Sequence, residues 1–252
     1  MDIAHILPIS VAKEKDPIRQ PVEMYLAHLV LKYPKVFKKF HSTYPGQVKI
    51  LDNGNYENLE PCTLQELEDA AEIVGATEVV LPDDLWEYES TMFRTHQALA
   101  NPKVRYWPYR KMAVAQGKTW SEVLACALEL ASLSGIHCVG IPKYAAYDTF
   151  RDNPYNIKGR LIIANRVALT GQKVHLLGCG IGAAEFLGSR IDLIRSTDTS
   201  LWMMYAREGI HYRTNRPEKY EADIERDELR GEQAERMIEQ MNIFLHRACW
   251  NE

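Results

Sequence analysis

The sequence predicts an α/β fold in which parallel strands alternate with helices and close into a (β/α)8 barrel. Short apolar segments recur along the chain, and most are followed by a helical pattern. No linker, repeat or low-complexity segment divides residues 1–252, and a barrel of this type needs about 250 residues. We therefore expect a single barrel domain over residues 1–252, with a doubly wound open sheet as the alternative.

The predicted strands are short and mainly apolar, as expected of strands that are covered on both faces. They are Ile3–Leu7, Val48–Leu51, Glu78–Leu81, Met112–Ala115, His137–Ile141, Val174–Leu177 and Leu193–Ile194. A weaker eighth candidate lies near Gly209–Arg213.

Helix signals separate these strands. Thr63–Glu66 and Thr119–Glu122 are capping boxes, and the second opens a helix over Val123–Leu133. Ala183–Ser189 predicts a short helix. Arg216–Arg247, with an apolar stripe, predicts a C-terminal helical segment that packs on the barrel.

Composition sets further bounds. Hydrophobic residues make up 46% of the chain and charged residues 25%, as in ordinary globular proteins. The formal net charge of −4 does not favour a polyanion, so a nucleic-acid partner would need local basic patches. We expect no membrane segment and no secretory leader. The five cysteines contain no CxxC pair, which indicates reduced thiols in a cytoplasmic protein without a zinc subdomain.

Polar residues and glycines follow the predicted strands. In a parallel barrel these positions meet at one end, where active sites are built. They are Asp52–Glu57, Pro82–Asp84, Gln116–Gly117, Gly140–Lys143, Gly178–Gly180 and Arg195–Asp198. Carboxylates, an amide and closely approaching glycine backbone suit a site for a polar heterocycle.

In this order, the segments resemble motifs of the tRNA-guanine transglycosylase superfamily. The resemblance covers roughly residues 45–213, and its most specific part is Asp198 followed by Tyr205-Ala-Arg-Glu-Gly209. The other matching segments are Asp52-Asn-Gly-Asn-Tyr-Glu57, Asp83, Ala115-Gln-Gly117, Val139-Gly-Ile141 and His175-Leu-Leu-Gly178.

The resemblance implies a base-exchange reaction with no cofactor and no metal. Asp198 would be the nucleophile that traps the sugar C1′, and Asp52 the general acid and base on N9. The implied base-binding residues are Asp83, Gln116, Gly117, Gly140, Ile141, Gly178, Tyr56 and Met203. The implied nucleic-acid contacts are Arg195, Arg207 and Lys143. For the two arginines, a structural ion pair is an equally good interpretation. Glu57 stands where the family usually has an amide, which leaves its role open.

The chain lacks the closely spaced cysteines and histidine of the family's zinc site and is similar to compact, phage-type DNA-guanine transglycosylases. These exchange guanine in DNA for a 7-deazaguanine. The alternatives are the same reaction on tRNA, a non-catalytic partner subunit, and a glycosidase or unrelated barrel enzyme. The free bases would be the small-molecule partners, and homo-oligomerisation stays open. Two basic and aromatic segments, Lys32–Lys39 and Lys103–Lys111, are candidates for holding the nucleic-acid strand.

Overall fold

The computed structural model describes residues 1–14, 19–58, 60–146, 158–179, 191–210, 224–226, 228–229 and 231–250. Its strands form a closed barrel in which each strand pairs in parallel with the next and the last pairs with the first. The predicted α/β barrel is therefore confirmed. The strands are β1 (Asp2–His5), β2 (Val22–Leu26), β3 (Val48–Asp52), β4 (Glu78–Val80), β5 (Arg110–Val114), β6 (Cys138–Pro142), β7 (Lys173–Leu177) and β8 (Ser196–Thr199).

The helices surround the barrel or follow its strands at the C-terminal end. They are α1 (Ile9–Ala12), α2 (Ala27–Lys32), α3 (Pro34–Phe37), α4 (Asn55–Asn58), α5 (Leu64–Val74), α6 (Tyr88–Ala100), α7 (Pro102–Arg105), α8 (Trp120–Ser132), α9 (Lys158–Ala168), α10 (Leu201–Glu208) and α11 (Glu232–Trp250). The C-terminal helix α11 packs against α10. None of the helices in the described ranges is long and apolar enough to cross a membrane.

Strand β2 was not predicted from the sequence because it contains a charged residue, Glu23, and no turn separates it from α2. Glu23 is buried in this strand. The carboxylate accepts hydrogen bonds from the Tyr25 hydroxyl at 2.6 Å and from Arg19 Nε at 2.9 Å. These partners offset the cost of burying the charge, so that a polar residue occupies a strand position.

The strand predicted at Leu193–Ile194 was wrong. Leu193 ends a 3-10 turn, and Ile194 precedes β8, which is composed of polar residues whose side chains are nevertheless buried. Gly209 terminates α10 in the left-handed conformation, and residues 211–213 lie outside the described part of the chain. The helix predicted over Ala183–Ser189 also lies outside it.

Both capping boxes are confirmed. Thr63 accepts the backbone N–H of Glu66 at the start of α5, and Thr119 accepts that of Glu122 at the start of α8. In each case the glutamate returns a hydrogen bond to the cap backbone, which fixes where the helix begins.

Buried Lys49 connects β3 to the outer layer. Its ammonium group donates to the backbone carbonyls of Phe40, His41, Ser42 and Val74, which lie at the ends of two helical segments. Burial lowers the pKa of Lys49 to about 8. The contact positions β3, and with it Asp52 at the strand's C-terminal end.

A substitution at Gly75 tests how the end of α5 packs against the backbone at His41. Gly75 ends α5 at φ +62°, and a Cβ there would lie 2.2 Å from the His41 carbonyl oxygen. Gly75→Ala should lower the free energy of unfolding by about 1–2 kcal/mol through the left-handed backbone, and by about 1–3 kcal/mol more through the clash. Urea unfolding measures both effects.

Gly171→Ala is the matched control, because Gly171 has φ +90° and nothing within 4 Å of its added Cβ. It should show the backbone cost alone. Equal losses in the two variants would contradict the importance of the contact with His41.

Candidate active site

A cavity of about 900 Å³ lies at the C-terminal ends of the strands. Its apolar floor includes Met24, Val114 and Leu177. Residues at or directly after the C-terminal ends of β3, β4, β5, β6, β7 and β8 line the cavity. Among them, Asp52, Asp83, Gln116, Lys143, Gly178 and Asp198 were predicted from the sequence as site residues. These six residues, together with Tyr56, are therefore brought into one cavity, as parallel strands that end at the same rim require.

Two hydrogen bonds fix the orientation of the Asp198 carboxyl group. Asp198 belongs to β8, is 5% exposed, and accepts two hydrogen bonds on Oδ1, from His175 Nε2 at 3.1 Å and from the Gly178 N–H at 2.9 Å. Gly178 has φ +68°, a conformation that glycine adopts at little cost. Donors on Oδ1 favour the ionised carboxylate and fix its orientation, while Oδ2 stands outside this pair of bonds.

Asp52 has the opposite environment. It ends β3 and accepts a hydrogen bond on Oδ2 from the Gly54 N–H at 2.9 Å. Burial raises the pKa of Asp52 well above its usual range, and the negative charges of Glu57, Asp83 and Asp198 raise it further. Asp52 is therefore suited to hold a proton at a higher pH than an ordinary aspartate and to donate it.

Glu57 adds a further carboxyl group beside this pair. It lies on α4 with an exposed side chain, and desolvation by the surrounding cavity walls together with the charge of Asp198 raises its pKa to about 7, while Lys143 opposes the rise. Lys143 also lies with its Nζ 5.6 Å from the ring centre of Tyr56. Glu57, Lys143 and Tyr56 thus form one side of the cavity opening.

Asp83 is the centre of a cluster of amide side chains. It accepts hydrogen bonds from Asn53 Nδ2 at 2.7 Å, from Asn55 Nδ2 at 3.2 Å, and from Gln116 Nε2. Burial raises the pKa of Asp83, and the three amide donors act in the opposite direction. A carboxylate offers about four acceptor sites, so three amides leave room for one donor of a ligand.

Trp86 fixes the orientation of Gln116. The backbone N–H of Trp86 donates to Gln116 Oε1 at 3.1 Å, which assigns the amide nitrogen to Asp83. Trp86 has φ +68°, an uncommon conformation for a non-glycine residue that costs about 1–3 kcal/mol. Its ring lies 3.7 Å from that of Tyr144, which lines the cavity.

Four predicted base-binding residues do not line the cavity. A Cβ on Gly117 would meet Glu122 and Val123 at the start of α8, and one on Gly140 would lie 2.9 Å from Leu177 and 3.1 Å from Val114. Both glycines make space for neighbouring side chains. Ile141 and Met203 are fully buried. Met204, the next residue of α10, lines the cavity instead of Met203.

Arg195 lies at the other end of the barrel. It precedes β8 and forms an ion pair with buried Glu78, the first residue of β4, at 2.6 Å. This geometry favours the structural ion pair that the sequence left open, and we remove Arg195 from the candidate nucleic-acid contacts. Arg207 pairs with Glu208 at 3.4 Å and is not part of the cavity lining.

The two basic and aromatic segments do not form a stacking surface at the cavity as a whole. In Lys32–Lys39, Lys32 lines the cavity, but Phe37 is buried in the core, where it cannot stack on bases. Lys103–Lys111 leads into the N-terminal end of β5, so it lies away from the cavity, and Trp107 within it is also buried.

Several residues of the site were not predicted. Asn53 and Asn55 belong to a segment that reads as a turn, His175 to an apolar strand, and Tyr144 to the stretch after β6. His28 and Arg226 contribute positive or titratable groups to the cavity rim together with Lys32. In the described residues, no group of three or more His, Cys, Asp or Glu side chains could hold a metal ion.

A scan against protein-family models gives no match for this chain, and a search of curated proteins gives none either. The resemblance to the transglycosylase superfamily therefore stays a prediction that rests on the motifs.

The raised pKa of Glu57 predicts a pH effect on stability. Its ordinary value of 4.5 applies to the unfolded chain and about 7 to the folded chain, so the folded chain binds more protons between these pH values. The free energy of unfolding should therefore fall as the pH rises through this window. Glu57→Gln should reduce the fall, which urea unfolding at several pH values measures.

Glu60→Gln is the matched control, because Glu60 is an exposed carboxyl of the same stretch and does not line the cavity. An unchanged pH dependence in Glu57→Gln would contradict the assigned environment of Glu57.

Proposed function

We propose that this protein is a base-exchange glycosyltransferase that replaces guanine in DNA by a 7-deazaguanine through a covalent Asp198–C1′ intermediate. The observation that carries the proposal is the unequal pair of carboxyl groups in one cavity. Asp198 receives two hydrogen bonds that favour its charge, whereas burial and neighbouring charges favour the proton on Asp52. A reaction with one nucleophilic and one acidic carboxyl group needs this difference.

The first half of the reaction breaks the bond between the sugar and guanine. Asp198 Oδ2 attacks C1′, the electron pair of the C1′–N9 bond goes to N9, and N9 receives the proton of Asp52. Guanine then leaves. In the second half, the Asp52 carboxylate takes the N9 proton of the incoming base, whose N9 attacks C1′ and releases Asp198. Atoms and charges balance without an oxidant or a metal.

The amide cluster would recognise the base. Asp83 can accept from one donor of guanine, N1–H or N2–H₂, with its remaining acceptor site. Gln116 uses one N–H for Asp83, and its second can donate to O6. Because both partners are buried and oriented by neighbours, a base lacking these groups would leave polar groups unpaired, which disfavours it.

The cavity rim supports a nucleic-acid substrate. Lys143 and Arg226 line it, and Lys32 lines it in an ion pair with Glu225, although the formal net charge of the chain is −4. A base inside a duplex must leave the stack to bring C1′ to Asp198, and local cations can hold the flanking phosphates. The chain has no closely spaced cysteine pair of a zinc site, which favours DNA over tRNA as the partner.

A covalent adduct tests the mechanism. Denaturation of the protein with a guanine-containing DNA oligonucleotide should trap a species whose mass is the sum of both minus guanine. Asp198→Asn should abolish it. Asp52→Asn should slow its formation by about 10²–10⁴-fold, because the leaving guanine loses its acid. Intact-mass spectrometry measures both outcomes.

Asp84→Asn is the control for this series. Asp84 neighbours Asp83 in the sequence, but its side chain bonds to Arg94 and Ser90, and it is not part of the cavity lining. It should form the adduct at the wild-type rate. An adduct that persists in Asp198→Asn would refute the assignment of the nucleophile.

Labelled guanine distinguishes the substrates. The protein should incorporate it into duplex or single-stranded DNA, and a 7-deazaguanine should replace the label. Incorporation into tRNA alone would contradict the DNA proposal and leave the chemistry in place. Loss of guanine from DNA without incorporation of a base would instead indicate a glycosidase.

A further inference from the structure

A chain of hydrogen bonds leads from Asp198 through the interior of the barrel. Asp198 Oδ1 bonds to His175 Nε2 at 3.1 Å, and His175 Nδ1 bonds to Ser196 Oγ at 2.8 Å. Arg195 Nε donates to the same oxygen of Ser196 at 3.0 Å, and Arg195 NH1 donates to Glu78 Oε2 at 2.6 Å. Because β4 and β8 stand on opposite sides of an eight-stranded barrel, the last bond crosses its interior.

The donor and acceptor of each bond can be assigned. Arg195 has only donors, so Ser196 Oγ accepts from it. His175 is fully buried, and burial lowers its pKa, so its ring is neutral and carries one N–H. Nε2 faces an ionised carboxylate that can only accept, which places this hydrogen on Nε2. Nδ1 therefore accepts, and the single Ser196 hydroxyl hydrogen points to it.

From Arg195 Nε onwards, each donor in the chain thus points towards Asp198, whereas Arg195 NH1 donates in the other direction, to Glu78. The cation of Arg195 polarises the Ser196 hydroxyl, which in turn polarises the imidazole that donates to Oδ1. At the far end of the chain of hydrogen bonds, the Glu78 carboxylate pairs with the positive charge of Arg195. Ser196 and His175 are register partners on β8 and β7, so the backbone pairing of the barrel itself sets their distance.

We propose that His175, Ser196 and Arg195 form a positioning relay that fixes the orientation of the Asp198 carboxyl group and holds its Oδ2 towards the sugar. Its catalytic consequence rests on the proposed function, because it acts through the proposed nucleophile. The relay assigns a role to a histidine and a buried ion pair that the base-exchange mechanism does not otherwise use. It also explains two of the four polar residues of β8, Ser196 and Asp198.

The tautomer of His175 tests the relay without any reaction. Nitrogen NMR of the histidine-labelled protein at neutral pH should show one neutral ring protonated on Nε2, assigned to His175 by its absence in His175→Gln. A ring protonated on Nδ1, or on both nitrogens, would overturn the relay. Since no substrate is present, this result does not depend on the proposed function.

Variants test its effect on catalysis. A glutamine at position 175 can place an N–H near the position of Nε2, whereas an asparagine is too short to reach Asp198. His175→Gln should therefore keep adduct formation within about 10-fold of wild type. His175→Asn should lose about 100-fold in kcat and Ser196→Ala about 10-fold, with KM for the oligonucleotide unchanged.

Thr197→Val is the matched control. Thr197 is a buried neighbour in β8 whose hydroxyl donates to the Leu176 carbonyl at 2.8 Å, so its loss also removes one buried hydrogen bond. It should cost stability but no kcat. If His175→Asn and Ser196→Ala behave like this control while the wild type forms the adduct, the relay is refuted and the proposed function stands. A wild type without adduct refutes the function alone.

Should Ser196→Ala fail to fold, Ser196→Cys keeps the side-chain volume and offers a weaker donor. It should give an intermediate kcat at unchanged KM. Wild-type kcat in a folded Ser196→Cys protein would contradict the relay.

Discussion

The cavity depends on keeping negative charge on Asp198 while Asp52, Glu57 and Asp83 line the same space. Like charges at short range disfavour one another's ionisation, and a partly buried cavity strengthens the effect. Hydrogen-bond donors are distributed unequally among these carboxyl groups. Asp198 receives an imidazole and a backbone N–H, and Asp83 receives three amides.

The same crowding of carboxyl groups also affects Asp52 and Glu57. The pKa values of both are raised, with burial as the first cause and the neighbouring carboxyl groups as a further one. The same repulsion that would destabilise four equal carboxylates therefore separates their roles. One group is suited to attack, one to transfer a proton and one to accept from a ligand.

The fold could be predicted from the sequence because its signals are local. Apolar strands separated by capped helices indicate a parallel barrel, and residues after such strands must meet at one end. This reasoning placed Asp52, Asp83, Gln116 and Asp198 near one another, and the structure places them in one cavity. Where a strand buries polar side chains, as β2 does with Glu23, the local signal failed.

The remaining features depend on register and on which end of a strand a residue occupies. The bond between His175 and Ser196 follows from the pairing of β7 with β8, which no local pattern encodes. Arg195 is only three positions from Asp198 in the sequence, yet it precedes the strand and lies at the opposite end. Gly140 resembles a ligand-contacting glycine, but the space it leaves is taken by Leu177 and Val114.

The protonation state of Asp52 tests the central claim most directly. Carbon NMR of the protein with labelled aspartate side chains can follow this carboxyl group, assigned by Asp52→Asn. The account predicts that Asp52 titrates at a higher pH than an ordinary aspartate, and that Asp198→Asn lowers this pKa because it removes a neighbouring negative charge. An Asp52 carboxyl group that ionises at ordinary acidic pH would contradict it.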